Sequence, residues 1–261
     1  MKSMLRIFFP DTIWKQLRNY NKWIRVERKS PIAGRTFSLL NMYFTVLRVI
    51  FKENIQIVRP LDFPDEMILM SVNSSAETTR LYGCRKEPET IRWLREYIKP
   101  GDVFFDIGAH VATYSLVAWF LGRRQIRVFA FEPSATPLKT ALENIRLNGA
   151  EKDIKIIPLA LSSSNEIGNI NQITLDTASK IFNLPNPTVV KIDVDGAEKE
   201  LVFGGRKTLT LPSIKTVLIE ITASKNVTEE IEEFFITAGF TIKEKHNRGH
   251  GDTTNYIFSR I

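Results

Sequence analysis

One cysteine, Cys84, stands among the 261 residues, so the chain can form neither an internal disulfide nor a cysteine-based metal cage, and it suits a reducing compartment. Also missing is any apolar run of about 20 residues, the length that a membrane-crossing helix needs. The most apolar stretch, Phe37 to Phe51, is shorter and contains Asn41 and Arg48. At the start, Leu5, Ile7, Phe8 and Phe9 are cut short by Pro10 and Asp11, a poor pattern for a signal peptide. The expectation is a cytoplasmic protein, soluble or peripheral to a membrane. Glycine is sparse where a pyrophosphate would need it. Around Gly108 no G-x-G-x-x-G forms, because His110 and Ala112 occupy the following positions, and this disfavours a dinucleotide such as NAD.

Charge is unevenly spread. The net +7 divides into +9 over residues 1–60 and −2 over the remainder. A basic appendage on a near-neutral domain points to an anionic neighbour for the appendage: a bilayer surface, a nucleic acid or an acidic partner. Apolar residues recur at helical spacing from Thr12 to Arg28 and from Thr36 to Lys52, with basic residues between them. Two basic amphipathic helices are expected there, able to lie in a membrane interface or to dock on protein. Residues 53–80 hold Pro60, Pro64 and a polar run from Asn73 to Thr79, and read as a linker or a hairpin leading into the domain. The expected division is therefore residues 1–80 as a basic helical extension and linker, and residues 81–261 as the domain that carries the chemistry.

From Glu87 onward helical and strand periods alternate. Helices are expected over Glu89 to Ile98, Thr113 to Leu121, Thr136 to Asn148, Ala197 to Phe203 and Val227 to Ala238. Strands are expected over Val103 to Ile107, Ile126 to Phe131, Ile154 to Leu159, Thr188 to Val194 and Ile214 to Ile221. Phe240 to Lys245 and Tyr256 to Ser259 read as a closing hairpin. Short apolar strands alternating with helices make an α/β fold, a mostly parallel sheet covered on both faces and finished by an antiparallel C-terminal strand.

Such sheets bind ligands beyond the carboxyl ends of their strands, where strand order reverses. The first strand ends in Asp106-Ile107-Gly108-Ala109-His110, an acid suited to a cationic ligand end, then a glycine that lets backbone approach closely. The second ends in Phe131-Glu132-Pro133, with Glu132 placed to accept both hydroxyls of a ribose. An acid–glycine loop followed by such an acid points to S-adenosylmethionine, although strands also end in acids for solubility alone. Further on, Asp193, Asp195 and Glu198 crowd six residues at a strand end, costly unless a cation such as a sulfonium, a metal ion or Lys191 is near. A helix N-terminus accounts for Asp195 and Glu198 but not for Asp193.

The segments Pro100 to His110, Phe129 to Pro133, Asn144 to Asn148, Ala160 to Ser162, Thr174 to Asp176 and Lys191 to Glu198 occur in an order that resembles the FkbM family of methyltransferases. The likeness covers roughly residues 80–260, with Lys191 to Glu198 its most distinctive part. It implies a class I (Rossmann-like) methyltransferase sheet, S-adenosylmethionine as donor, and O-methylation of a sugar, glycan or other hydroxyl-bearing small molecule. His110 and Ala112 stand where the family has Asn and Gly, and Asp195 where it has Glu.

Methyl transfer is an in-line displacement, so the protein must chiefly align acceptor oxygen, methyl carbon and sulfur, and exclude water. Asp193 is the first candidate to take the acceptor's proton or orient its hydroxyl, and His110 the second. Expected cofactor contacts are Glu87, Asp106, Gly108, Ala109, His110, Glu132, Pro133, Ala160 and Asp193, with Asp195 and Glu220 facing the acceptor. Carboxylates at Asp193, Asp195 and Glu220 could take a hard cation, but no spacing demands one, and no metal is expected. His246, His250 and the glycines 249 and 251 suggest a mobile flap beside Asn255, but a solvated hairpin turn is the better reading. Two other functions compete: a nucleic-acid methyltransferase, suggested only by the basic N-terminal segment, and a non-catalytic membrane-associated scaffold. Asn186-Pro187-Thr188 precedes a strand instead of ending one, which disfavours amino-group methylation of nucleic acid. The sequence leaves the oligomeric state open.

Overall fold

The computed structural model describes residues 57–72, 75–165, 172–222, 224–248 and 253–260. The two expected N-terminal helices, their proposed membrane contact, and His250 with its flanking glycines lie outside the described residues. The sheet-bearing unit comprises residues 60–70 and 80 onward. Among the described residues no helix is long and apolar enough to cross a membrane.

Two short strands, β1 (Val58–Pro60) and β2 (Leu69–Ser71), precede three helical turns: α1 (Ser75–Thr78), a 3-10 turn at Thr79–Tyr82, and α2 (Gly83–Lys86). Helix α3 (Pro88–Tyr97) opens with proline at its first position, where the missing N–H costs nothing. There follow β3 (Val103–Ile107), α4 (Thr113–Leu121), β4 (Arg127–Phe131), α5 (Ala135–Leu147), β5 (Ile154–Ile157), β6 (Ala160–Leu161), β7 (Gln172–Ile173), α6 (Leu175–Ile181) and β8 (Val189–Ile192). The chain closes with α7 (Glu198–Gly204), α8 (Arg206–Leu209), β9 (Thr216–Thr222), α9 (Lys225–Thr237), β10 (Thr241–Asn247) and β11 (Thr253–Ser259).

Seven strands form the central sheet in the order β10-β11-β9-β8-β3-β4-β5. Strands β9, β8, β3, β4 and β5 pair in parallel, while β11 runs antiparallel to both β9 and β10. The sequence-based reading of alternating elements and an antiparallel finish therefore holds. Helix α6, seven residues long, was not expected from the sequence; it is started by the Thr174 side chain accepting from Thr177 N. The turns at residues 75–86 were not expected either: each is four residues long, and the α2 N-terminus is capped from a distance. Asp62 accepts from Cys84 N and Arg85 N, both at 3.0 Å.

Both central strands, β3 and β8, are buried along their whole length, as a sheet covered on both faces requires. One face packs Phe105 edge-on against Phe129 and Phe131. Toward the other edge Phe235 stacks on Phe258 at 4.6 Å between centroids. Strand order reverses between β3 and β8. The two strand ends meet closely there: Asp193 N donates to Ile107 O at 2.9 Å. A Cβ added to Gly108, whose φ is +81°, would lie 1.7 Å from the Asp193 carbonyl oxygen. Glycine is thus required twice over, by backbone conformation and by space.

Gly108→Ala should lose about 2–5 kcal/mol in denaturant unfolding, combining left-handed strain with overpacking. Gly101→Ala is the control, with φ +90° but nothing within 4 Å of the added carbon; it should lose only the strain, about 1–2 kcal/mol. Equal losses in the two variants would show that the Gly108–Asp193 approach does not constrain the fold.

Candidate active site

A cavity of about 470 Å³ opens at this crevice, within the range that holds a cofactor or substrate. The loop after β3 forms its floor. Gly108 N and Ala109 N both donate to Phe131 O at 3.0 Å, tying the loop to the end of β4. His110 and Ala112 adopt φ of 49° and 63°. That is left-handed backbone, which Asn and Gly enter more easily than His and Ala, so the loop keeps its shape at a conformational cost of about 1–2 kcal/mol per residue. Asn144, fully buried on α5, donates to Val111 O at 2.9 Å and pins the loop from behind.

Glu132 is held in a fixed orientation. One carboxylate oxygen accepts from His110 N at 2.9 Å, the other from Ser134 N at 2.7 Å. Two N–H groups use half of its roughly four acceptor positions and leave the rest for a ligand. Pro133, Leu159, Ala160 and Leu161 continue this wall, an apolar flank beside a fixed acid.

Asp193 stands across the cavity, just past β8. Its carboxylate pairs with Lys191 Nζ at 2.9 Å, and that ammonium is buried, 5.0 Å from the centre of the Tyr114 ring. Burial alone would push the Asp193 carboxyl upward; Lys191, with Arg248 and Arg80 farther off, outweighs it and holds the group below its ordinary range. For Lys191, burial disfavours the charge, yet Asp193, Asp106 and Glu87 together keep the amine protonated beyond its usual range. Asp106 is the counterpart. It is buried, accepts from Ser115 Oγ at 2.6 Å, and is raised by desolvation that Lys191 only partly offsets.

The third wall is built around Arg248, which follows β10. Its guanidinium pairs with Glu220 at the end of β9 and, at 2.7 Å, with buried Glu87 ahead of α3. Burial raises the Glu220 carboxyl, and Asp193 adds to the effect; Arg248 pulls it back without cancelling it. Asp195, at φ 49°, is exposed beside the cavity mouth, and single carboxylate oxygens of Asp193, Asp195 and Glu220 lie within 4.8 Å of one another. This grouping is acidic, but Lys191 and Arg248 already neutralise two of its members.

Of the residues expected at the site, Glu87, Gly108, His110, Glu132, Pro133, Ala160, Asp193, Asp195 and Glu220 line the cavity. Asp106 and Ala109 do not. Asp106 turns into the protein toward Ser115 and Lys191, and Ala109 is buried beneath the loop. His246 does not line the cavity and pairs with Glu244 on β10. Lys86, Arg80 and Arg248 line the cavity too, and sequence reasoning did not select them, since isolated basic residues in unremarkable segments carry no local signal. Two other motifs of the sequence are scaffolding. Asp176 caps α8 by accepting from Lys207 N and Thr208 N, and Asn148 both accepts from and donates to the Leu69 backbone.

Residues 158–242 match the family model described as "Methyltransferase FkbM domain". That segment spans Lys191 to Glu198 and Glu220, and stops short of the Gly108 loop and Glu132. A hexuronic acid methyltransferase, AglP, from Haloferax volcanii is 28% identical over 193 residues, which cover 66% of this chain and 78% of the relative. Among solved structures, Methyltransferase FkbM from Methylobacillus flagellatus KT superposes with a TM-score of 0.52 at 12% identity, over 69% of this chain; the chain spans 65% of that protein's length. The matched segment and the Haloferax relative make the chain similar to FkbM methyltransferases, and the superposition shows that it shares their fold.

Proposed function

We propose that the chain is an O-methyltransferase that takes its methyl group from S-adenosylmethionine and places it on a hydroxyl of a sugar or glycan. The observation that carries this reading is the pairing of two fixed carboxylates across one cavity, Glu132 on the β4 side and Asp193 on the β8 side. Glu132, with its remaining lone pairs facing the cavity, suits the two hydroxyls of the donor's ribose, and the apolar stretch Leu159 to Leu161 suits the adenine. Asp193 would then face the sulfonium and the acceptor. The sugar acceptor is supported by the Haloferax relative, a hexuronic acid methyltransferase.

In this reading the protein's contribution is alignment and electrostatics. The donor, once bound, supplies a methyl carbon activated by positive sulfur. A lowered carboxyl makes Asp193 a weak proton acceptor but a permanently charged one. Its role is to accept the acceptor hydroxyl's hydrogen bond, hold the oxygen in line, and stabilise positive charge on that oxygen as the bond to carbon forms. Lys191 keeps Asp193 ionised and in place. His110, which lines the cavity, is the second candidate to receive the proton. A nucleic-acid substrate receives no support from the cavity, where Glu87, Glu132, Asp193, Asp195 and Glu220 outnumber Arg80, Lys86 and Arg248, a balance that disfavours a phosphate backbone.

Calorimetry with S-adenosylmethionine, with NAD as control, tests the cofactor, and mass spectrometry of glycosides after incubation tests the transfer. Glu132→Ala should weaken donor binding about tenfold or more, the loss of a charge-assisted pair to hydroxyls. Asp193→Asn should leave binding within about threefold and lower kcat by roughly 10²–10⁴. Unaltered donor affinity in Glu132→Ala would remove the ribose assignment.

A second expectation concerns pH. With a depressed carboxyl, the charged form of Asp193 persists into acid, so the acid limb of kcat should lie below the ordinary carboxylate range. In Lys191→Met burial acts without its opponent, and that limb should move to higher pH. A pH–rate profile with the same acid limb in both proteins would show that Lys191 does not govern Asp193.

A further inference from the structure

The cavity's cations are not equivalent. Arg248 is committed to Glu87 and Glu220, and the ammonium of Lys86 lies 3.8 Å from Glu87. Arg80 lines the same cavity, is half-buried, and has no ion pair or side-chain hydrogen bond among the described residues. A guanidinium carries five donors and no acceptor, and partial burial removes water that would otherwise satisfy them. Such a group, left without a partner among the described residues at the wall of a binding cavity, is suited to an anion that arrives with the ligand.

Its backbone is held firmly in place. Arg80 sits in the 3-10 turn whose Leu81 O accepts from Asp62 N at 2.9 Å. The Asp62 carboxylate then caps the next turn through Cys84 N and Arg85 N, and also accepts from Arg85 Nε at 3.2 Å. On the inner side, Tyr114 Oη donates to Gly83 O at 3.4 Å, tying this wall to α4. Arg80 is therefore presented from a pinned turn, near enough to Asp193 to contribute to that residue's charge balance.

We propose that Arg80 is the carboxylate receptor of the cavity, binding either the methionine carboxylate of the donor or the carboxylate of an acidic sugar acceptor. The inference rests on the donor and acceptor classes proposed above. Planar bidentate pairing with a carboxylate is what a guanidinium does best. A phosphate would fit the same fork, but a dianion beside Glu132, Asp193, Asp195 and Glu220 meets more repulsion than a carboxylate does.

The test uses the full chain and its Arg80→Met and Arg80→Lys variants, with thermal unfolding to confirm that all three fold. Calorimetry with S-adenosylhomocysteine and with methylthioadenosine, which lacks the amino-acid end, reads the first source. Initial rates on a glucuronide and on the matching glucoside read the second. If the donor's carboxylate is bound, Arg80→Met should weaken S-adenosylhomocysteine at least tenfold and methylthioadenosine less than twofold. If the acceptor's is bound, both nucleosides should be unchanged, and KM for the glucuronide alone should rise at least tenfold. Arg80→Lys, with charge but no fork, should fall between. A wild type that binds S-adenosylhomocysteine, with a Met variant unchanged in every arm, overturns the Arg80 assignment and leaves the proposed function standing. A wild type that binds neither nucleoside overturns both.

Discussion

Everything at this site depends on how closely the ends of β3 and β8 approach. A hydrogen bond from Asp193 N to Ile107 O draws the strands together at the point where the chain's winding reverses, and only a residue without a Cβ fits between them at position 108. The consequence is geometric. With no side chain filling the gap, the crevice that strand reversal always creates stays open to solvent, and the acids at the strand ends, Glu132 and Asp193, face each other across it. Asn144 and the Phe131 carbonyl hold the intervening loop, so even left-handed backbone at His110 and Ala112 is maintained.

Charge is arranged around the same crevice in two layers. Inside, the buried Lys191 ammonium pairs with Asp193, and its burial is tolerable because the charges of Asp106 and Glu87 and the Tyr114 ring add to that pairing. Nearer the surface, Arg248 joins Glu87 to Glu220, linking the segment before α3 to the far end of β9. Glu87 belongs to both layers. The result is a cavity whose acids are partly neutralised from behind, able to attract a sulfonium without the repulsion that bare neighbouring carboxylates would suffer.

The family likeness and the geometry divide the motifs into two kinds. Gly108, Glu132 and Asp193 meet the cavity, whereas Asn144, Asn148 and Asp176 hold backbone in place. Asp106 shows how the two differ. An acid at the end of the first strand reads as a ligand group, yet its side chain alternates to the inner face, where Ser115 and Lys191 receive it.

Local pattern determined the fold class, the parallel strands with their antiparallel finish, and the acids at strand ends, because hydrophobic period and turn chemistry act between residues a few positions apart. It placed β3 and α4 to the residue. It did not reveal the turn at Gly83–Lys86 that follows Arg80, since the cap that stabilises it comes from Asp62, nor the pairing of Arg248 with Glu87, 161 positions away. Tertiary structure alone decided which cations are spent within the protein and which face the cavity. Ion pairs form between side chains that folding brings together, and no spacing along the chain records them.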